Sequence, residues 1–144
     1  MTKELEEFSS LFDLTPNIPI LNINTTNKEI SNTLETLVKP FNGNITNIQS
    51  TNERELKAKI KRAAYDYGII YNSILNADNK ETLMELINIG IRDSGYIIVI
   101  EDKEKDYNKI YPLLEEFDYG AIGSIDIFKN YNLIMAKKVH MWGM

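Results

Sequence analysis

The chain contains no cysteine, which removes disulfides, thiolate chemistry and cysteine-based zinc sites. It has one histidine, His140, so no site that requires two imidazoles can be built. No apolar run reaches the roughly 20 residues of a membrane-spanning helix. The start, MTKELEEF, is too acidic and polar for a secretory signal. A cytoplasmic protein with no membrane partner is expected. Positive charge is also scarce: 16 Lys and Arg face 21 Asp and Glu, for a net charge of −5. Non-specific nucleic-acid binding needs clustered cations to displace counterions, so nucleic acid is not an expected partner. The densest basic stretch is Lys57, Lys59, Lys61 and Arg62, which reads as the wet face of a helix.

What is present fits a single soluble domain spanning residues 1–144, with 43% apolar and 26% charged residues. Leu5, Phe8, Leu11 and Phe12 share one face of a helix over 3–13. Ile18–Ile23 is a short apolar run and reads as a buried strand. Thr25, Thr26 and Asn27 are good N-cap types, and Ile30, Leu34, Leu37 and Val38 make a helical stripe that ends before Pro40. A second strand is expected over Asn44–Gln49. A helix over 53–64 follows, capped by Thr51 or Asn52, with Leu56, Ile60 and Ala63 inward. A third strand lies within Tyr67–Leu75. Asp78 or Asn79 caps a helix over 80–92 that ends at Ser94-Gly95. Tyr96–Ile100 is the most continuous apolar run and should be a central strand. After the charged loop Glu101–Asp106, Ile110, Leu113, Leu114 and Phe117 define a helix closed by Gly120. Ile122–Phe128 and Leu133–Lys138 then form an antiparallel pair joined at Lys129-Asn130. Strands alternating with helices give a three-layer α/β sandwich whose twisted sheet is mostly parallel and carries an antiparallel C-terminal strand pair.

The second half of the chain resembles class I S-adenosylmethionine-dependent methyltransferases. The resemblance rests on Tyr65-Asp66-Tyr67 leading to Tyr71-Asn72, on Arg92-Asp93-Ser94-Gly95 before the strand Tyr96–Ile100, and on the terminal strand pair. It covers about half the chain. The front half departs from that family. Where the family has an acidic residue and then a glycine-rich loop, this chain has Leu21-Asn22-Ile23-Asn24-Thr25-Thr26-Asn27-Lys28. Asn22 stands in the place of the acid, and Asn24, Thr26 and Lys28 replace the glycines that let backbone approach a ligand. Gln49 replaces the carboxylate that would hold ribose hydroxyls, and only two strands precede Tyr67 instead of three. The fold implied is methyltransferase-like and truncated, with a degenerate cofactor loop.

The resemblance implies S-adenosylmethionine seated near Asn22, Asn24, Thr26, Gln49 and Asn72 if the chain is active. The departures lead instead to the expectation of no cofactor and a non-catalytic binding or scaffold role. A third reading is a small-ligand module with an anion at Thr26–Lys28, where a helix N-terminus offers free N–H groups. Asn72 is expected either to meet a ligand or to cap local backbone. Glu101 and Asp102 are expected to be solvated loop charges, and Asp66 a solvated or capping residue. No metal site is expected. The tail His140, Met141 and Trp142 holds the only Trp and His. It is expected to contact a protein partner or a second copy of the chain, or to fold back on its own sheet.

Overall fold

The computed structural model describes residues 2–23 and 26–139, so the tail from His140 onward and Asn24 and Thr25 lie outside the described residues. The elements in chain order are α1 (Lys3–Ser9), β1 (Pro19–Ile23), α2 (Lys28–Val38), β2 (Asn44–Ile48), α3 (Glu53–Lys59), β3 (Tyr65–Tyr71), α4 (Lys80–Gly90), β4 (Ile91–Asp102), α5 (Ile110–Glu116), β5 (Tyr119–Ser124) and β6 (Tyr131–Lys138). Short 3₁₀ turns extend α2 and precede α5. The strands form one sheet in the order β2-β1-β3-β4-β6-β5. The first four strands run parallel; β6 is antiparallel to β4 and to β5. This is the mixed α/β sandwich expected from the alternation of periodicities.

Two apolar layers hold the sheet. On one face Leu21, Ile23, Ile70, Ile97 and Val99 meet Leu56 of α3, Leu83 and Ile87 of α4, and Leu114 of α5. On the other, Ile20, Ile69, Ile98 and Ile100 meet Phe8 of α1 and Ile30 and Leu34 of α2. Phe8 is fully buried and its ring packs on Phe12 and Phe128, which ties the N-terminal helix to the loop before β6. Burying a phenylalanine of this kind contributes about 1.5–3 kcal/mol.

Asparagines start three helices. Asn27, Asn52 and Asn79 cap α2, α3 and α4, their side-chain oxygens accepting from Ile30, Glu55 and Thr82 amides. The helix over 53–64 is shorter than its pattern suggests. It ends at Lys59, and the exposed Ala63 takes φ +48° while the amides of Ala63 and Ala64 bond to Ile89 and Gly90 carbonyls. Tertiary hydrogen bonds outcompete another helical turn there. α4 stops at Gly90 and runs straight into β4, so Ser94-Gly95 lies inside a strand irregularity and not at a helix cap. That irregularity shifts the β3–β4 register between Tyr65 and Tyr67, which puts Tyr65 on the opposite face from Tyr67 and Tyr71. Asp118, at φ +67°, takes the left-handed position expected of Gly120, and β5 starts at Tyr119. A connection over 125–130 separates β5 from β6, longer than the tight turn the sequence suggests.

Candidate functional site at the carboxyl edge of the sheet

The parallel register lines up Ile23, Ile48, Ile70 and Val99 at the carboxyl edge of the sheet. The residues just beyond them are therefore neighbours, and open α/β sheets bind ligands at this edge. Gln49 and Asn72 come together there, in a polar cleft of about 250 Å³ also lined by Ser50, Thr51, Ser73 and Asn76. Thr26 does not share that cleft. It is exposed and lines a separate cleft of about 540 Å³ between α1, the start of α2 and the turn before β6, with Asn27, Lys28, Tyr71 and Tyr131. Asn24 is outside the described residues.

Asn22 has a structural occupation. It alternates with Ile18 and Ile20 and so faces α2, where it is buried. Its amide group donates to Asn47 Oδ1 at 3.0 Å, across the β1–β2 pair, and to Ser31 Oγ at 3.2 Å. Asn72 is also engaged. It adopts φ +46°, a region asparagine tolerates better than most residues. Its Nδ2 donates to Asp102 Oδ1 at 2.9 Å, its Oδ1 accepts the Asp102 amide at 2.8 Å, and its own amide donates to Ile100 O at 2.7 Å. Asn76 Nδ2 donates to the Asn72 carbonyl, and Lys105 Nζ donates to Asn76 Oδ1. Ser73 Oγ donates to Tyr71 O, and Ser50 Oγ to Glu55.

Three charged residues behave differently from expectation. Glu101 is 1% exposed, not a solvated loop charge, because it continues the buried alternation of Ile97 and Val99. Burial raises its pKa above the usual carboxylate range; Lys105 and the nearby amides of Ser73 and Leu75 oppose that shift. Neither carboxylate oxygen makes a well-formed hydrogen bond, and Lys105 Nζ stands 4.0 Å away. Asp66, at the opposite end of β3, pairs with Arg92 Nε at 2.8 Å across the strand irregularity. Asp102 is held by Asn72. In the larger cleft, Tyr71 OH donates to Tyr131 OH at 3.0 Å, and burial together with that contact pushes the Tyr71 phenol up to about 12. Among the described residues no cluster of acidic or histidine side chains is placed to hold a metal, and no helix is long and apolar enough to cross a membrane.

This architecture is that of the S-adenosylmethionine-dependent methyltransferase fold. A methyltransferase of Aquifex aeolicus superposes with a TM-score of 0.74 at 12% identity, covering 94% of this chain and 89% of that one. Phosphoethanolamine N-methyltransferase 2 of Haemonchus contortus, solved with S-adenosylmethionine, gives 0.70 at 12% identity; this chain covers 52% of its length. A chain of the complex between the Haloferax volcanii Trm112 methyltransferase activator and a methyltransferase gives 0.69 at 7% identity, with coverage of 95% and 90%. This chain spans about half the length of several of these neighbours. No family model matches the sequence, and no curated protein does. At such identities the likeness defines the fold and not the activity.

Proposed function

We propose that this chain is a non-catalytic, methyltransferase-like domain that works through a protein partner. One observation carries the reading: most polar side chains of the carboxyl-edge cleft already have hydrogen-bond partners within the protein. Ser50, Asn72, Ser73 and Asn76 all have partners within the protein, which leaves Gln49 and Thr51 unengaged among the described cleft residues. A ligand there would have to break bonds to make bonds, and a cleft of about 250 Å³ is below the roughly 300 Å³ at which small-molecule pockets begin. The protein-partner half of the proposal draws on the activator complex among the structural neighbours and on the aromatic tail His140, Met141 and Trp142. It also draws on Val139, which is exposed just before that tail.

The alternative is a divergent S-adenosylmethionine-dependent methyltransferase. It is favoured by the cofactor present in one neighbour and by the larger cleft beside Thr26 and Tyr71. Thermal unfolding with S-adenosylmethionine and S-adenosylhomocysteine separates the two. A ligand at about 100 times its dissociation constant stabilises the folded state by roughly 2.7 kcal/mol. The expected result is an unchanged melting curve at millimolar ligand; an upward shift with either compound overturns the non-catalytic reading. Sizing the protein with and without residues 139–144 tests the tail as a self-association surface.

A further inference from the structure

β2 ends the sheet and pairs only with β1, so one of its rims has no neighbour. We propose that this rim pairs with the β2 rim of a second copy of the chain, antiparallel, about a two-fold axis at Asn47. The Asn44 amide donates to Ile18 O at 2.9 Å, so Asn44 turns its main-chain groups toward β1. Such groups alternate sides along a strand of a parallel pair. Those of Thr46 and Ile48 therefore also face β1, and those of Ile45, Asn47 and Gln49 face outward. Among the described residues, none outside β1 bonds the main chain of these three. Asn44, Asn47 and Gln49 are exposed, so the rim is open to solvent.

Sheet edges are ordinarily blunted by charge, proline, a bulge or a cover. The opposite edge is blunted: β5 slips its pairing with β6 between Gly120 and Gly123, and Ala121 takes φ +50°. β2 has no such guard. Its register with β1 is unbroken, and no proline or charged residue lies between Pro40 and Glu53. That composition selects the occupant. Each chain carries a net charge of −5, and at this neutral strand two such chains meet without setting like charges face to face. Two-fold symmetry requires antiparallel pairing. It places Asn47 against its own counterpart, Thr46 against Ile48 and Ile45 against Gln49. The outward residues of the two copies then exchange about six main-chain hydrogen bonds. Asn47 is prepared for its place, since the buried Asn22 donates to its Oδ1 and leaves its Nδ2 to reach the opposing amide. The assembly closes at two copies, because both remaining edges are β5. The pairing is made by main-chain groups and is independent of whether either cleft holds a ligand.

Sedimentation equilibrium of the full chain between about 1 µM and about 1 mM tests this. It should show a monomer–dimer equilibrium that survives removal of residues 139–144. Asn47→Lys and Asn47→Asp each set like charges opposite one another and should weaken the dimer by about tenfold or more. An equimolar mixture of the two should restore association as a mixed dimer, which a contact elsewhere on the surface would not do. Hydrogen exchange of the wild-type chain needs neither variant. The Asn47 and Gln49 amides should gain protection several-fold across the concentration range, while those of Thr46 and Ile48, which face β1, stay constant. A chain that remains monomeric over the whole range overturns the inference. So does a dimer whose Asn47 and Gln49 amides exchange as in the monomer, a dimer that neither substitution weakens, or a mixture of folded variants no more associated than its components.

Discussion

Removing the Asn72 side chain should weaken the fold far more than a half-buried loop residue ordinarily would. The side chain exchanges two hydrogen bonds with Asp102, at 2.9 and 2.8 Å. One of them meets a carboxylate and is worth about 1.5–3 kcal/mol, and the other is a neutral bond worth about 1 kcal/mol. Both residues are only half-buried, so the lower ends of those ranges apply, and Asn72→Gly should lose about 2–3 kcal/mol. Asn72→Ala loses the same bonds and also places a Cβ at φ +46°. Relative to glycine it should lose about 1 kcal/mol more. For a chain of this size that corresponds to roughly 4 °C of melting temperature per kcal/mol. Urea unfolding of both variants, together with Asp102→Ala and the double variant, gives the coupling energy, expected at about 1–2 kcal/mol. A glycine variant within about 0.5 kcal/mol of wild type and a coupling near zero would refute the reasoning. Asn72 would then be free to meet a ligand, and the self-bonded cleft that supports the non-catalytic proposal would lose its main member.

Two further outcomes follow from the same geometry. Gly95→Ala should destabilise by about 1–3 kcal/mol, because its methyl would meet the Arg92 carbonyl at 2.9 Å and the Asp66 carbonyl at 3.0 Å, neither able to yield; nothing lies within 4 Å of a Cβ at Gly123, which serves as the control for Gly95 in the same unfolding assay. Stability should fall as pH rises from about 10 toward 12, since the unfolded chain releases the Tyr71 proton at its ordinary pKa while the fold holds that phenol up to about 12; Tyr71→Phe should reduce this alkaline slope in denaturation at about pH 9 and 11, the remainder coming from Tyr67 and Tyr119, which burial also raises.

The fold was legible because hydrophobic period is a local property that tertiary structure preserves. Ile97–Ile100 read as a doubly covered strand and are buried on both faces, and the stripe Ile30, Leu34 and Val38 lies against the sheet as its spacing implies. Even the face of Asn22 was implicit, since it keeps parity with Ile18 and Ile20 and therefore points at α2 and not toward the carboxyl edge. The site was harder to read because polar side chains are defined by their partners, and partner choice is long-range. Asn72 and Asp102 are thirty residues apart, and only the β3–β4 register puts them side by side. Glu101 followed the opposite route to a wrong reading. It sits where apolar alternation hands over to a charged loop, and composition favours the loop, yet the alternation continues for one more inward position. The consequence bears on function. A polar residue at a strand's carboxyl end resembles a ligand group in sequence, but it can serve as one only if no neighbour claims it first, and here Asp102 claims Asn72 and Asn47 claims Asn22. The same competition explains why a methyltransferase-like outline does not by itself supply a cofactor seat: glycine-rich loops leave backbone donors unspent, whereas a chain with asparagine, threonine and glutamine in those places carries side chains that can bond to one another.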